Sequence, residues 1–299
     1  GYFSQTLNFS DFVNFSKDNL EYTQRAISNV LLSGTHASED ASWTTEWALS
    51  PTLSTIQDKD IRTTSFRVED GVYSIPQNNQ PKRIWRDLEE INAVAKLDIT
   101  KKYDFLEKDA KLKFGAYSSY KTRDFSILNF EIENNAQTTK FNGVADNILL
   151  NDNLWTVNNN SGSYIDPDIS IAEPANTFDA VQQNIAGYVS NEFKLGQKLR
   201  TILGLRVEKF ESRYTGEDNK DINDPQKVIY DNETIIDKFD LFPTANLIYE
   251  LTEEVNLRGS FSRTTARPSF KEASIAKIFD PLSNNTFIGN INLDPTYIN

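Results

Sequence analysis

Few residues in this chain have the type and spacing that bond-breaking chemistry requires. Histidine occurs once, at His36, which is predicted to lie in a short polar turn without neighbouring metal ligands. Asp166 and Asp168 have the residue types of a glycosidase acid pair, but they flank Pro167 in a hydrophilic segment with nothing to raise a pKa. Phosphate-binding glycine loops and a Gly-x-Ser-x-Gly motif are absent from the sequence. We therefore predict no catalytic residues, no enzyme activity and no cofactor.

Metal binding has one further candidate, the acidic segment of residues 217–224. Its carboxylate and amide oxygens suit calcium, yet it lacks the central glycine of an EF-hand loop, so a solvated loop is the favoured interpretation. Cysteine is absent, which removes thiolate sites and disulfides. The sequence thus predicts no metal site.

The elements that position the remaining polar side chains are strands with alternating hydrophobicity. In residues 90–100 every odd position is apolar, from Ile91 to Ile99, and the even positions are largely polar. Because successive side chains of a strand point to opposite faces, this period of two predicts one apolar face and one polar face. Similar patterns give eight strands, which cover about residues 22–33, 43–53, 90–100, 110–123, 180–194, 199–208, 241–251 and 255–263.

The connections between these strands fall into two classes that alternate along the chain. The short class comprises residues 36–42, 101–109, 195–198 and 252–254; the long class comprises about residues 56–82, 124–179, 214–238 and 266–295. Outer-membrane barrels have short periplasmic turns and long extracellular loops, whereas a soluble sandwich has no reason to sort them. The long segments are rich in Asn and Asp and are expected to lie in water.

Composition is consistent with that architecture. The 299 residues carry a net charge of −12 and 38% hydrophobic residues, and no run of 18 apolar residues occurs. Barrel strands need only about 9 to 11 residues with alternate side chains in lipid, so the mean hydropathy of −0.53 is compatible with a membrane span. Because methionine is absent, we expect residues before Gly1. The fold class predicted is all-β: an antiparallel transmembrane β-barrel segment of about eight strands.

The alternation assigns side chains to the two faces of this wall. The apolar set is predicted to face lipid: Trp43, Trp47, Leu49, Leu97, Leu112, Phe114, Leu205 and Leu257. The polar set is predicted to line the lumen and to face either a ligand or a plug inside it: Lys111, Lys113, Tyr117, Lys121, Arg123, Arg200, Arg206, Glu208 and Arg258. Two interpretations of these bases stay open. They attract anionic cargo, or they pair with carboxylates such as Glu208 or with acids on a plug, as buried charges require.

Aromatic residues near predicted strand ends indicate girdles at the two membrane surfaces, where amphipathic rings prefer the headgroup region. They are Trp43, Trp47, Tyr103, Phe105, Phe210, Tyr214, Phe239 and Tyr249. Trp155 lies in the long Asn-rich segment, which a girdle does not explain. It is the candidate for an extracellular ligand contact, such as stacking on a carbohydrate.

Three segments together resemble the barrel of TonB-dependent receptors. They are residues 83–92 (RIWRDLEEIN) after 60–62 (DIR); residues 187–189 (GYV) leading to 204–208 (GLRVE); and 242–247 (FPTANL) through 261–263 (FSR) and 266–270 (ARPSF) to 289–290 (GN) and 293–295 (LDP). The resemblance implies a barrel of about 22 strands with an N-terminal plug in its lumen. It also implies uptake of a scarce nutrient, a siderophore, cobalamin, glycan or peptide, in the outer membrane of a Gram-negative bacterium. The implied partners are outer-membrane lipid, the protein's own plug domain, the TonB energising complex and a surface lipoprotein, with no nucleic acid.

Some expected parts of such a receptor are not recognisable in residues 1–299, which we interpret as a partial barrel. Neither a plug domain nor a TonB-box region is found, and residues 295–299 are where the family would begin another strand. Two alternatives stay open: a large outer-membrane barrel for secretion or surface assembly, and a soluble β-sandwich or lectin-like module with Leu97 and Leu205 in its core. A plug and TonB box in the parent gene would disfavour the first, and dependence on detergent would disfavour the second.

Overall fold

The computed structural model describes residues 2–8, 13–76, 80–135, 141–158, 161–165, 173–221, 223–280, 283 and 285–299. The strands are β1 (Tyr2–Asn8), β2 (Val13–Leu20), β3 (Thr23–Asn29), β4 (Leu32–Ala37), β5 (Trp43–Glu69), β6 (Val72–Ser74), β7 (Lys82–Phe105), β8 (Lys108–Asn135), β9 (Gly162–Ile165), β10 (Thr177–Leu195), β11 (Leu199–Glu217), β12 (Ile229–Glu250), β13 (Asn256–Ser262), β14 (Thr264–Ala266), β15 (Lys277–Asp280), β16 (Asn285–Ile288) and β17 (Thr296–Ile298). Short 3-10 helices cover Ala145–Leu149, Asn151–Asn153 and Pro174–Asn176.

The main sheet is an antiparallel meander. Its order is β1-β2-β5-β7-β8-β10-β11-β12-β13, so strands that follow each other along the chain are neighbours in space. Strands β2, β3 and β4 pair with successive parts of β5 and form one interrupted wall strand. Among the described residues the sheet has two free edges, one formed by β1, β3 and β4 and the other by β13. This connectivity is that of an up-and-down barrel wall.

All eight predicted strands are present, and the short turns between them are confirmed. Strands β1, β2, β6, β9, β15 and β16 were not predicted, and most of the predicted strands extend far beyond their predicted ends: β5 has 27 residues, β7 has 24 and β8 has 28. A tilted strand crosses a bilayer with about 9 to 11 residues, so these strands continue well past that length. The predicted strand ends were wrong because the segments beyond them do not alternate between apolar and polar residues. The prediction depended on that alternation.

The two faces of the sheet differ as the alternation predicts. Register pairs Leu97 with Trp47 and Ala116, and Leu205 with Val189, so apolar side chains from neighbouring strands share one face. We call it the apolar face; Leu97 is 39% and Leu205 is 43% exposed on it. The opposite, polar face carries the charged side chains. In the soluble-sandwich alternative a second sheet would cover the apolar face; in the described part of the chain none does.

A β-bulge in β5 changes which side chains share a face. The register of β5 against β7 shifts between Asp58 and Ile61, and Asp60 has a φ of 59°. Asp60 is the carboxylate at this bulge, and it lies beside the guanidinium groups of Arg83 and Arg62. The bulge therefore carries a carboxylate held by two guanidinium groups, at 2.7 Å from Arg83 Nε and 2.8 Å from Arg62 Nε.

The described residues of the segment 267–295, which we call the strap, fold onto the polar face. This corrects the expectation of a solvated loop over residues 266–295. Within its described part, Phe270 and Ile278 are buried against wall residues Ile84 and Phe125 in the larger apolar cluster. The strap escaped prediction because its apolar residues follow neither a strand nor a helix period.

The connection after β8 packs on the opposite side of the wall. Phe141 and Ile148 are buried with Phe66 and Ile132 in a second apolar cluster, and the Phe66 and Phe141 rings lie 5.9 Å apart. This connection too was expected to be solvated loop, over residues 124–179. Phe141 and Ile148 of this connection instead cover the apolar face around Phe66 and Ile132.

Three individual predictions are corrected by the structure. His36 lies on β4, where it accepts a hydrogen bond from Trp47 Nε1 at 3.2 Å, and not in a turn. Phe210 and Tyr214 are buried on the polar face, so neither belongs to an aromatic girdle. Tyr214 stacks on Phe178 with ring centroids 5.3 Å apart. Cover by the strap, which the sequence did not reveal, is the physical reason for both burials.

The last described strand returns to the wall after the strap. Thr296–Ile298 pairs antiparallel with Thr264–Ala266, which continues the line of β13. The prediction that a further strand begins here is confirmed. In the part of the chain that the structure describes, no helix has the length and apolar character to cross a membrane.

Candidate lumenal surface

The polar face is built around three carboxylates, each with several basic partners. The first is Asp98 on β7, whose side chain is 5% exposed. It lies 2.8 Å from Lys96 Nζ and 3.0 Å from Lys113 Nζ, and it accepts a 2.5 Å hydrogen bond from the Tyr188 hydroxyl on β10. These contacts satisfy a buried charge through three neighbouring wall strands.

The second carboxylate is Glu90, also on β7. Both Lys121 and Arg123 of β8 contact it: Lys121 Nζ at 3.0 Å, and Arg123 through Nε at 3.0 Å and a terminal nitrogen at 2.5 Å. Glu90 and Asp98 lie eight positions apart on the same side of one strand, so their common face follows from the sequence. Their basic partners depend on the register between β7 and β8.

The third carboxylate, Glu208 on β11, binds the strap to the wall. Its oxygens lie 2.5 Å from Arg206 Nε and 2.5 Å from a terminal nitrogen of Arg267, the first strap residue. Arg267 also lies 3.9 Å from Asp240, which accepts a 2.7 Å hydrogen bond from the Tyr297 hydroxyl. One guanidinium therefore bridges two wall carboxylates on neighbouring strands.

Aromatic contacts add to this attachment. Phe270 of the strap lies beneath the cations of Lys121 and Arg123, at 5.4 Å and 5.1 Å from the ring centroid. The guanidinium of Arg267 lies 4.4 Å from the ring centroid of Phe210. Such cation–π contacts contribute most where water is excluded. The strap thus covers Lys121 and Arg123, which were predicted to face a ligand or a plug in the lumen.

The predicted lumen-facing residues share the polar face, and most of the bases are paired. Arg206 also lies 5.3 Å from the ring of Tyr117, and Arg200 pairs with Glu192. Within the described ranges, Lys111 and Arg258 have no carboxylate at ion-pair distance. Pairing with carboxylates, one of the two open interpretations, therefore accounts for five of the seven bases: Lys113, Lys121, Arg123, Arg200 and Arg206.

Sequence reasoning missed the residues that complete these clusters: Asp98, Glu90, Asp240 and Arg267. The parity of residues 90–100 was a usable signal for the first two, because both occupy even positions of a strand whose odd positions are apolar. Local pattern gave no signal for Arg267, since 59 residues separate it from Glu208.

The predicted lipid-facing residues share the apolar face, with Trp43 at its turn end. Lys101 Nζ lies 4.8 Å from the centroid of the Trp43 ring, so this residue combines an apolar body with a charged neighbour, as rings in a headgroup region do. Trp155 is 40% exposed, and its amide donates to the Ser163 carbonyl oxygen at 3.0 Å. Its predicted role in ligand contact stays a prediction.

The turn before β5 is fixed by a single carboxylate. Asp40 accepts hydrogen bonds from the Ser38 hydroxyl at 2.5 Å and from the Ser42 amide at 3.1 Å. These bonds lower the pKa of Asp40 to about 2. The turn is thereby stabilised in the state with a charged carboxylate.

Of the candidate acid pair and the acidic segment of residues 217–224, the structure describes only a part. Asp166 and Asp168 lie outside the described residues, as does position 222 of the acidic segment. In the rest of that segment Asp218 lies 3.7 Å from Lys220 Nζ. Among the described residues no group of three or more His, Asp and Glu side chains could hold a metal ion.

An antiparallel meander with one exposed apolar face and one ion-paired face is typical of the wall of an outer-membrane β-barrel. The family model described as TonB dependent receptor-like, beta-barrel, matches residues 1–299. The chain therefore belongs to that family, as the resemblance indicated, and comparison with curated proteins found no match. Members of the family are transport receptors of the bacterial outer membrane and are not enzymes.

Proposed function

We propose that this chain forms part of the wall of an outer-membrane receptor that takes up a scarce nutrient in a TonB-energised step. The single observation that carries the proposal is the family match over the whole chain. The wall agrees with it, because an apolar band suits lipid and an ion-paired face suits a filled, water-accessible lumen. The siderophore, cobalamin, glycan and peptide classes remain candidates for the nutrient.

In this proposal the lumen holds a plug domain of the same protein, and further wall strands close the barrel to about 22 strands. The free edges at β1, β3 and β4 and at β13 support further strands, because unpaired edges in a membrane leave backbone groups without partners. A secretion barrel would use the same wall physics, but the matched family favours a receptor. TonB, a surface lipoprotein and membrane lipid are the proposed partners.

The experiment compares the parent bacterium with strains that lack either the receptor gene or TonB. Growth is measured on a panel of iron, cobalamin, glycan and peptide sources, and membranes are fractionated. We expect the receptor in the outer-membrane fraction and one nutrient whose use is lost in both mutants. A receptor recovered in soluble form without detergent would contradict the membrane assignment. Unchanged growth of the receptor mutant across the panel would contradict the uptake function.

The basic residues of the lumen are tested separately. If Lys113 and Arg123 attract an anionic nutrient, changing both to Gln lowers the uptake of that nutrient. Because each pairs with a wall carboxylate, the same changes would leave uptake unaltered if their role is structural. Unaltered uptake in a correctly inserted variant would remove the cargo role of these two residues.

A further inference from the structure

A cavity lies between the strap and the polar face. It has a volume of about 190 Å³. Its apolar side is formed by Leu88, Phe125 and Phe178 of the wall and Ile278 of the strap, and the two phenylalanine rings lie 5.0 Å apart. Packed apolar side chains therefore line one side of the cavity, and the strap contributes Ile278 to that lining.

The other lining residues include four bases: Arg25, Arg86, Arg123 and Lys271. Arg86 binds Asp58 through its Nε atom at 2.5 Å, and Arg123 binds Glu90. Each of these guanidinium groups uses two of its three nitrogen atoms in such contacts.

The two other bases have no such partner. Across the described ranges, Arg25 and Lys271 lie at ion-pair distance from no carboxylate, and Lys271 Nζ lies 4.3 Å from the centroid of the Phe287 ring. The cavity therefore has a surplus of positive charge beside an apolar surface. Both side chains are exposed at the rim of the cavity, so an anion bound there would receive charge-assisted hydrogen bonds from them while its apolar body fills the space behind.

We propose that this cavity binds a small organic carboxylate with an aromatic body. A dry cavity of about 150 Å³ holds one benzene molecule, so the volume here suits one ring with a carboxylate. The ring packs beside Phe125 and Phe178, and the carboxylate accepts hydrogen bonds from Arg25, Lys271 and the spare nitrogen of Arg123. The inference deepens the proposed uptake function and rests on it, since it names the chemistry of a ligand that enters this lumen.

The test uses 4-fluorobenzoate as the probe and fluorine NMR as the readout, with the complete receptor in detergent micelles. Binding broadens and shifts the fluorine signal in a saturable way, and empty micelles give the background. The neutral isostere 4-fluorobenzyl alcohol measures partition of the ring alone. The double variant Arg25→Gln/Lys271→Gln removes the two bases without an ion pair, and we expect about a tenfold loss of affinity.

Arg258→Gln is the matched control, because Arg258 lies on the same face, has no described ion pair and does not line the cavity. Its affinity for the probe should equal that of the unaltered receptor. A second variant, Leu88→Trp, fills the cavity without changing its charge and should abolish saturable binding. This second route keeps the test decisive if the double variant does not fold.

Three results would overturn the inference: equal binding of the neutral isostere, no loss in either cavity variant, or the same loss in Arg258→Gln. The last result would assign the effect to the general charge of the lumen. Failure here is distinct from failure of the proposed function, because the receptor would still be inserted in the outer membrane and would still support growth on its nutrient.

Discussion

Replacing Arg267 by Gln should release the strap from the wall without unfolding the barrel. The Arg267 side chain is 17% exposed and lies between Glu208, at 10%, and Asp240, at 9%. The substitution removes the charge that both carboxylates share. Glu208 keeps Arg206, and Asp240 keeps the Tyr297 hydroxyl, so neither carboxylate is left without a partner.

The expected cost follows from these remaining partners. Removing one member of a buried ion pair costs about 3 to 5 kcal/mol, and one hydrogen bond to a charged group contributes about 1.5 to 3 kcal/mol. Because both carboxylates stay partly satisfied, we expect the lower range, about 2 kcal/mol. At about 1.4 kcal/mol per factor of ten, the strap should open about 30 times more often.

Hydrogen exchange with mass spectrometry measures this opening at defined amides. The Ala273 amide donates to Ser269 and the Asn290 amide donates to Glu272, so both report on the strap. In the Arg267→Gln variant these amides should exchange about 30 times faster, with amides of β10 and β11 unchanged.

Lys277→Gln is the control in the same segment. Its pair with Glu173 is exposed, at 43% and 37%, and exposed pairs contribute about 0 to 1 kcal/mol. Exchange should therefore change less than about fivefold. Equal exchange in the Arg267 variant and the unaltered protein would refute the reasoning, as would an equally large effect of Lys277→Gln.

Three further expectations concern the strap, a turn and the membrane face. Gly289→Ala places a Cβ atom 2.5 Å from backbone oxygens of the strap, so it should displace the strap at a cost of about 1 to 3 kcal/mol and speed hydrogen exchange of the strap amides. The control Gly259→Ala places its Cβ atom within 4 Å of no other atom and should be neutral. The hydrogen bonds that lower the pKa of Asp40 to about 2 stabilise its turn fully at pH values above about 3.9, the usual pKa of an aspartate, and this stabilisation is lost as the pH falls through about 2. Carboxyl NMR measures the titration of Asp40, and a midpoint near pH 3.9 would contradict this expectation. Leu205→Arg should destabilise the barrel by about 2 to 4 kcal/mol in vesicle refolding, whereas Ser260→Arg on the polar face should have little effect; equal effects would contradict the assignment of the faces.

The sequence by itself determined the central parts of eight strands, their faces and the short turns. Alternation is a local property, because each side chain points opposite to its neighbour whatever lies across the sheet. The common face of Ile91 and Leu97, and that of Glu90 and Asp98, therefore follow from residues 90–100 alone. Family membership was also visible in the sequence, in segments such as residues 83–92.

Tertiary structure alone decided which charges meet and what covers the polar face. The pairing of Lys113 with Asp98 depends on the register between two strands, which local alternation limits but does not fix. The burial of Phe210 and Tyr214 depends on the strap, whose residues have no regular period. Arg267 reaches Glu208 across 59 residues of chain because the meander brings β11 beneath the strap. Contacts between distant segments have no local signal, since they form only when the whole wall is assembled.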